Sequence, residues 1–336
     1  MNKTNFILLI LILIFACQPQ EKQELNEEIL MSMGNKFKIS FAQAADDFEI
    51  LIKADSTNVE ALLGYTEMKV MLYIFGFSSR EETIPLAQMA FQKARALDSL
   101  SAGIFTFSGI LSLLDWDWEN SRISFLKAIR TDPQDPKPRH WYSLYLSAMG
   151  RFDEAMAQSD TIMGTDFSED YQIGKGSLLY FARRNEEMKQ LMLKTVAVDT
   201  TVGWGYDWLG MAYIELKDYD NAIKTYFKAF ELSDGTVEVG AGLGHALGLA
   251  GKYDIAKQMA DYYKLAAQDQ YLPPVQRSFI HIGIGEYDEA INLLEQAYKE
   301  HSWFLVFIQA EPWYDPIRKD KRFIDIINWM EFPDLF

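Results

Sequence analysis

Residues 208–230 read WLGMAYIELKDYDNAIKTYFKAF, and the spacing of side chains in this stretch decides the fold. Apolar residues recur every three or four positions on both sides of a short break at Leu216-Lys217-Asp218. That spacing is the period of an amphipathic helix, and a break of this length suits a tight turn. The stretch therefore predicts two helices of about a dozen residues that fold back on each other as a hairpin.

The same pattern recurs at a near-constant interval along most of the chain. Seven positions in the second helix of each hairpin are 33 or 34 residues apart: Ala87, Ser121, Ala155, Met188, Ala222, Ala256 and Ala290. A column of small residues precedes them in the first helix: Gly109, Ser143, Gly176, Gly210, Gly244 and Ser278. Small side chains allow helix axes to approach to about 8–10 Å. The repeat predicts an all-α solenoid whose core grows along one axis.

The hairpin resembles a known repeat. Trp208-Leu209-Gly210 and Tyr213 in its first helix, with Tyr219, Ala222, Tyr226 and Ala229 in its second, are similar to the tetratricopeptide repeat (TPR). The resemblance implies a TPR αα-superhelix of about seven to eight helix pairs over residues 25–310. Residues 311–336 are predicted to form a C-terminal cap over the last apolar face, with its helix beginning at Asp315 or Asp320. A larger interval between Ala44 and Ala87 predicts an insertion near residues 75–79.

A narrower resemblance concerns three stretches, at residues 115–129, 140–155 and 304–323. They read DWDWENSRISFLKAI, HWYSLYLSAMGRFDEA and FLVFIQAEPWYDPIRKDKRF. They look like the repeat domain that follows catalytic or DNA-binding modules in bacterial adenylate-cyclase-type and winged-helix regulators. Because no such module precedes the repeats in this sequence, the resemblance implies a scaffold and does not imply their regulatory role.

The first residues predict export and lipid anchoring. A short positive segment is followed by the apolar run Phe6–Phe15 and then by Ala16-Cys17, which resembles a bacterial lipobox. We therefore expect a signal peptide at 1–16, acylation of Cys17, and a tether at 17–24. An uncleaved membrane anchor and an ordinary secreted protein are the alternatives. No aspartate follows Cys17 directly, which in similar lipoproteins favours the outer membrane, on either of its faces.

Charge and motif content argue against several classes of function. The net charge of −16 would repel a nucleic-acid backbone, so no nucleic-acid partner is expected. The four histidines, His140, His245, His281 and His301, have no metal-binding spacing, and Cys17 is the only cysteine. No nucleophile, metalloprotease or phosphate-loop motif is present. We expect no cofactor, no metal and no catalysis.

The first helices of TPR hairpins line a concave groove, and the resemblance assigns groove positions in this chain. The candidate groove residues are His140, Tyr180, Phe181, Trp204, Asp207, Met211, Glu215, His245 and Phe279. The sequence favours a noncatalytic, membrane-anchored scaffold that binds an envelope protein or peptide segment through this groove. A periplasmic or surface binding protein for a small peptide or glycan is the alternative. Burial of the groove aromatics between repeats is the competing interpretation of these residues.

Overall fold

The computed structural model describes residues 36–163, 171–201, 203–233 and 236–333, and within these ranges the chain is helical without a strand. Cys17, the predicted signal peptide and the tether lie outside the described residues. The helices are α1 Lys36–Ala54, α2 Val59–Ile74, α3 Arg80–Leu97, α4 Ala102–Leu114, α5 Trp118–Thr131, α6 Pro136–Ala148, α7 Phe152–Met163, α8 Gln172–Phe181, α9 Asn185–Val198, α10 Gly203–Glu215, α11 Tyr219–Ser233, α12 Val237–Leu249, α13 Tyr253–Ala266, α14 Pro274–Ile284, α15 Tyr287–Lys299 and α16 Lys321–Trp329. None of the described helices is both long enough and apolar enough to cross a bilayer.

Helices α2 to α15 form seven consecutive hairpins, and α1 packs on α2 as the second helix of an earlier repeat. This arrangement confirms the predicted all-α solenoid of about seven to eight helix pairs. The predicted insertion is a five-residue loop, 75–79, between α2 and α3. Both flanking helices are also long, since α2 has 16 residues and α3 has 18, whereas α4 has 13 and α5 has 14.

Two of the glycines that recur in the first helices lie against large aromatic rings. A Cβ at Gly109 would lie 2.6 Å from the ring of Phe125, and one at Gly210 would lie 2.7 Å from the ring of Tyr226. Phe125 and Tyr226 are fully buried residues on α5 and α11. Each glycine therefore makes room for a large side chain of its own hairpin, so the rings pack directly against the backbone of the first helix.

The turns inside six of the hairpins share a left-handed residue at the same position of the repeat. Glycine occupies it in three turns, at Gly150, Gly251 and Gly285, with φ between 68° and 79°. A side chain occupies it in the other three turns, which contain Trp116, Arg183 and Lys217 with φ of 57°, 57° and 60°. Glycine is favoured at such helix C-termini because it has no Cβ to clash with the carbonyl.

Replacing the exposed Lys217 by glycine is expected to raise the free energy of unfolding by up to about 1 kcal/mol, because it relieves the cost of a left-handed side chain. Urea unfolding of the purified chain measures the change. Gly251→Ala is the matched control, since its φ is 75° and no atom lies near its Cβ position. That variant should lose about 1 kcal/mol. A Lys217→Gly variant less stable than the parent would contradict this account of the turns.

Candidate functional site

The concave face of the solenoid is filled by the chain itself. After α15, residues 302–317, here called the groove segment, run past the first helices as two short 3-10 helices, Trp303–Phe307 and Pro312–Ile317. They contact the first helices in the order of the repeats. Trp303 meets Trp141 of α6 with ring centroids 5.8 Å apart, and Phe307 stacks on Phe181 of α8 at 4.6 Å.

The far end of the groove segment packs against the last two first helices. The indole of Trp313 stacks on His245 of α12 at 4.2 Å and meets Phe279 of α14 edge-on at 4.8 Å. Tyr314 lies 5.5 Å from the same Phe279 ring. Both Trp313 and Tyr314 are buried. The segment therefore forms part of the hydrophobic core of the molecule and is packed along nearly the whole concave face.

Hydrogen bonds and an ion pair fix the groove segment at both ends. The Tyr73 hydroxyl of α2 donates to the carbonyl of His301 at 2.7 Å and accepts from the backbone N–H of Trp303 at 2.8 Å. At the other end, the Arg183 guanidinium donates to both carboxylate oxygens of Asp315, at 2.6 and 2.7 Å. Burial raises the pKa of Asp315, but hydrogen bonds from Arg183 and Arg318 keep that pKa below its ordinary value.

The concave groove is not open in the structure. Tyr180, Phe181, Asp207, Met211 and His245 are all buried, because the groove segment and the neighbouring helices cover the concave face. Tyr180 donates a hydrogen bond to the carboxylate of Glu311 in the groove segment. A role for these residues in binding a partner stays a prediction, and their present contacts are with their own chain.

The remaining candidate residues are less uniform in their placement. Phe279 and Glu215 are both half-buried. The ring of Phe279 contacts Trp313, and the carboxyl group of Glu215 interacts electrostatically with Arg183 and Asp315. The other two meet different parts of the chain: the ring of His140 lies 5.1 Å from Tyr171, and that of Trp204 lies 5.1 Å from Phe75 in the 75–79 loop. The structure therefore brings five of the nine candidates to the groove segment: Tyr180, Phe181, Glu215, His245 and Phe279. Asp207 and Met211 are buried, and His140 and Trp204 lie at other contacts.

The residues predicted to form the cap divide into two parts that pack in different places. Only α16 acts as a cap: it packs on α15, and Arg322 pairs with Asp288 at 2.6 Å. Asp320 begins this helix, since its side chain accepts a hydrogen bond from the backbone N–H of Arg322. Residues 302–317 instead enter the groove, so the chain leaves the repeat array at Lys299 and not at residue 310. The one feature of the sequence that indicates a buried segment here is the high aromatic content of residues 303–314.

Three carboxyl groups, of which Glu311 belongs to the groove segment, have strongly raised pKa values. Burial raises the pKa of Asp207 to about 7, that of Glu238 to about 8 and that of Glu311 to about 7. The Tyr180 hydroxyl and the backbone N–H of Trp313 lower the pKa of Glu311 in part, as both donate to it. Within the described residues no group of three histidine, cysteine or acidic side chains could hold a metal ion.

These shifts predict that stability falls as pH rises toward 8. A carboxyl group whose pKa in the folded chain lies above its unfolded value of about 4 binds its proton more tightly when the chain is folded. The stability gained in this way is present at low pH and is lost as the pH rises from the unfolded pKa through the folded pKa. Burial lowers the pKa of His140 and His245 to about 4, so these histidines act in the opposite direction, but only below their unfolded value of about 6.5.

Between pH 6.5 and 8 the pH dependence of stability therefore comes from the carboxyl groups, because the histidines contribute only below this range. We expect the free energy of unfolding to fall by about 2–3 kcal/mol over this range, and urea unfolding at the two pH values measures it. Glu238→Gln should remove much of the slope, because Glu238 has the highest of the three pKa values. A stability that stays flat or rises over the same range would contradict burial of these acids.

The comparisons with known proteins agree with the repeat. The tetratricopeptide repeat family matches residues 205–235, which cover α11 and all but the first two residues of α10. No curated protein matches the chain.

Solved structures with the same fold include Cut9 in the APC/C hetero-tetramer Cut9-Hcn1, with a TM-score of 0.59, 15% identity and coverage of 87% of this chain. The chain spans 53% of the length of Cut9. A tetratricopeptide repeat protein from Parabacteroides merdae matches with a TM-score of 0.51 and 11% identity, over 81% of this chain and 98% of that one. Yeast Tom70 matches with a TM-score of 0.50 and 17% identity, over 93% of this chain and 69% of Tom70. The repeat, the helix order and these likenesses show that the chain folds as a tetratricopeptide-repeat solenoid.

Proposed function

We propose that this chain is a noncatalytic, lipid-anchored scaffold that binds a protein partner in the bacterial cell envelope. The observation that carries the proposal is the array of seven stacked hairpins, which gives a small chain an extended outer surface. The sequence before the array, with Cys17 after an apolar run, supports the anchor and the envelope location.

The proposal places the partner on the faces that the groove segment leaves free. The side chains of Tyr180, Phe181 and His245 already pack against residues of that segment, so a partner would reach them only after the segment had left. Displacing it would expose Trp303, Phe307 and Trp313, and each buried aromatic side chain contributes about 1.5–3 kcal/mol. The same burial disfavours a small peptide or glycan site built on the groove aromatics.

Photo-crosslinking in living cells tests the scaffold proposal. A photoreactive residue at Val198, which is 86% exposed, should capture the same protein that other exposed positions of the outer face capture. The same residue placed at the buried Phe125 should capture none. Mass spectrometry identifies the captured protein. If every exposed position captured only bystanders that also label an unrelated envelope protein, the scaffold proposal would fail.

The anchor is tested separately with Cys17→Ser. The parent chain should partition into the detergent phase, and Cys17→Ser should move to the aqueous phase, because two or three acyl chains are needed for stable membrane attachment. Circular dichroism checks that both proteins keep the same helical content. A parent chain found in the aqueous phase would reject lipid anchoring and leave the scaffold proposal in place.

A further inference from the structure

A cleft of about 610 Å³ opens where the last repeat closes against the α4–α5 turn. It lies outside the filled groove, and its walls come from the turn at 115–119, the end of α15 and the residues after α16. The lining residues are Asp115, Trp116, Asp117, Trp118, Glu119, Tyr298, His301, Trp329, Met330, Glu331 and Pro333.

One wall of the cleft is a continuous stack of rings. His301 stacks on Trp116 at 3.6 Å, Trp116 on Tyr298 at 5.5 Å, and Tyr298 meets Trp329 at 5.3 Å. Trp329 ends the stack and is 49% exposed. Trp118, which also lines the cleft, is buried and donates from its indole N–H to the carbonyl of Met330 at 2.9 Å. The walls are therefore held in place by their own contacts.

The polar lining of the cleft has one sign of charge. Four carboxylates line it, and no lysine or arginine is among the described lining residues. Arg80 pairs with Asp115, and Arg122 pairs with Glu119. Asp117 and Glu331 are exposed and form no ion pair with any described residue, but both oxygens of Asp117 accept hydrogen bonds from the backbone N–H and the side-chain amide of Asn120. A cation entering the cleft would thus meet the Glu331 carboxylate, which has no ion pair, the hydrogen-bonded Asp117 carboxylate, and the half-exposed indole of Trp329 in the same lining.

We propose that this cleft binds an arginine side chain of the partner protein, and this inference rests on the proposed function. A guanidinium group stacks on aromatic faces and donates two parallel hydrogen bonds to a carboxylate, so it matches both parts of the lining. A neutral ligand would match the rings but would gain no attraction from the negative charge of the lining. The chemistry of the site therefore specifies a planar cation on a flexible stem.

Titration of the intact chain with acetyl-arginine-N-methylamide tests the proposal. The probe should shift the indole N–H signals of Trp329 and Trp116 in ¹⁵N NMR spectra at millimolar concentrations, and Trp329→Phe assigns one of them. Acetyl-citrulline-N-methylamide has nearly the same size without the charge, and it should bind about tenfold more weakly. High salt should weaken the arginine probe and leave the citrulline probe unchanged.

A pair of matched double variants shows whether the carboxylates act as proposed. Asp117→Asn with Glu331→Gln should weaken binding of the arginine probe by about tenfold or more. Glu60→Gln with Asp261→Asn changes the net charge equally at exposed positions that do not line the cleft, and should leave binding unchanged. Circular dichroism confirms that the parent and both variants fold.

Three results would overturn the inference: no shift of either indole signal, equal binding of the citrulline probe, or a neutral oligosaccharide that moves the same signals in place of the arginine probe. Crosslinks to a protein partner on another face would remain possible in each case. Failure of the arginine site is thus separate from failure of the scaffold proposal.

Discussion

Replacing Trp313 by alanine is expected to lower the free energy of unfolding by about 3–5 kcal/mol, the usual loss when a buried indole is removed from a packed core. The Trp313 ring is 5% exposed and is held between His245 of α12 and Phe279 of α14. Its loss removes the main contact between the far end of the groove segment and the concave face. Urea unfolding measures the loss, and hydrogen exchange should show faster exchange within residues 302–317.

Trp329→Ala is the matched control for this prediction, because it removes the same side chain from a half-exposed position on α16. We expect it to cost less than about 1.5 kcal/mol, since much of its surface is already in contact with water. Equal losses for the two variants would mean that the groove segment is not packed against the first helices.

Replacing Gly242 by leucine is expected to cost about 3 kcal/mol or more, because no space exists for the new side chain. A Cβ at Gly242 of α12 would lie 2.4 Å from ring atoms of Tyr226, and a Cβ at Gly210 of α10 would lie 2.7 Å from the same ring. The ring is fully buried between the two helices. Overpacking of a rigid core costs about 1–3 kcal/mol, and here the clash lies at the contact of neighbouring repeats.

A double variant separates this clash from a general loss of stability. Tyr226→Ala alone should be strongly destabilising, because it leaves a cavity of aromatic size. Combined with Gly242→Leu, it should cost less than the sum of the two single losses by about 2 kcal/mol, since the leucine then occupies the vacated space. Strict additivity of the two losses, measured by urea unfolding, would show that Tyr226 and Gly242 do not share this contact.

The stacking of the hairpins could be predicted from the sequence because its determinants are local and periodic. Gly210, Ala222 and Tyr226 lie within one hairpin, and the same positions recur in neighbouring repeats at 33 or 34 residues. The number of helix pairs and the positions of the turns follow from that period. Even the left-handed turn residues repeat with it, although only half of them are glycine.

The filling of the groove could not be predicted in the same way. Phe181 stacks on Phe307, and Tyr180 binds Glu311, across more than a hundred residues of sequence and outside the repeat. Contacts of this kind do not recur at the spacing of the repeat, so the periodic pattern of the sequence does not indicate them. Aromatic groove positions suit a partner's segment and the chain's own segment equally well. The cleft at Trp116 and Trp329 escaped prediction for the same reason, because its walls meet only when the array has curved.

Intramolecular photo-crosslinking shows whether residues 302–317 occupy the concave face of their own chain. A photoreactive phenylalanine analogue at position 307 lies against Phe181, with native ring centroids 4.6 Å apart. We expect this analogue to capture the peptide that contains Phe181 within the same molecule, as shown by mixing isotope-labelled and unlabelled chains. Capture between different molecules, or capture of peptides from outside α6 to α14, would contradict it.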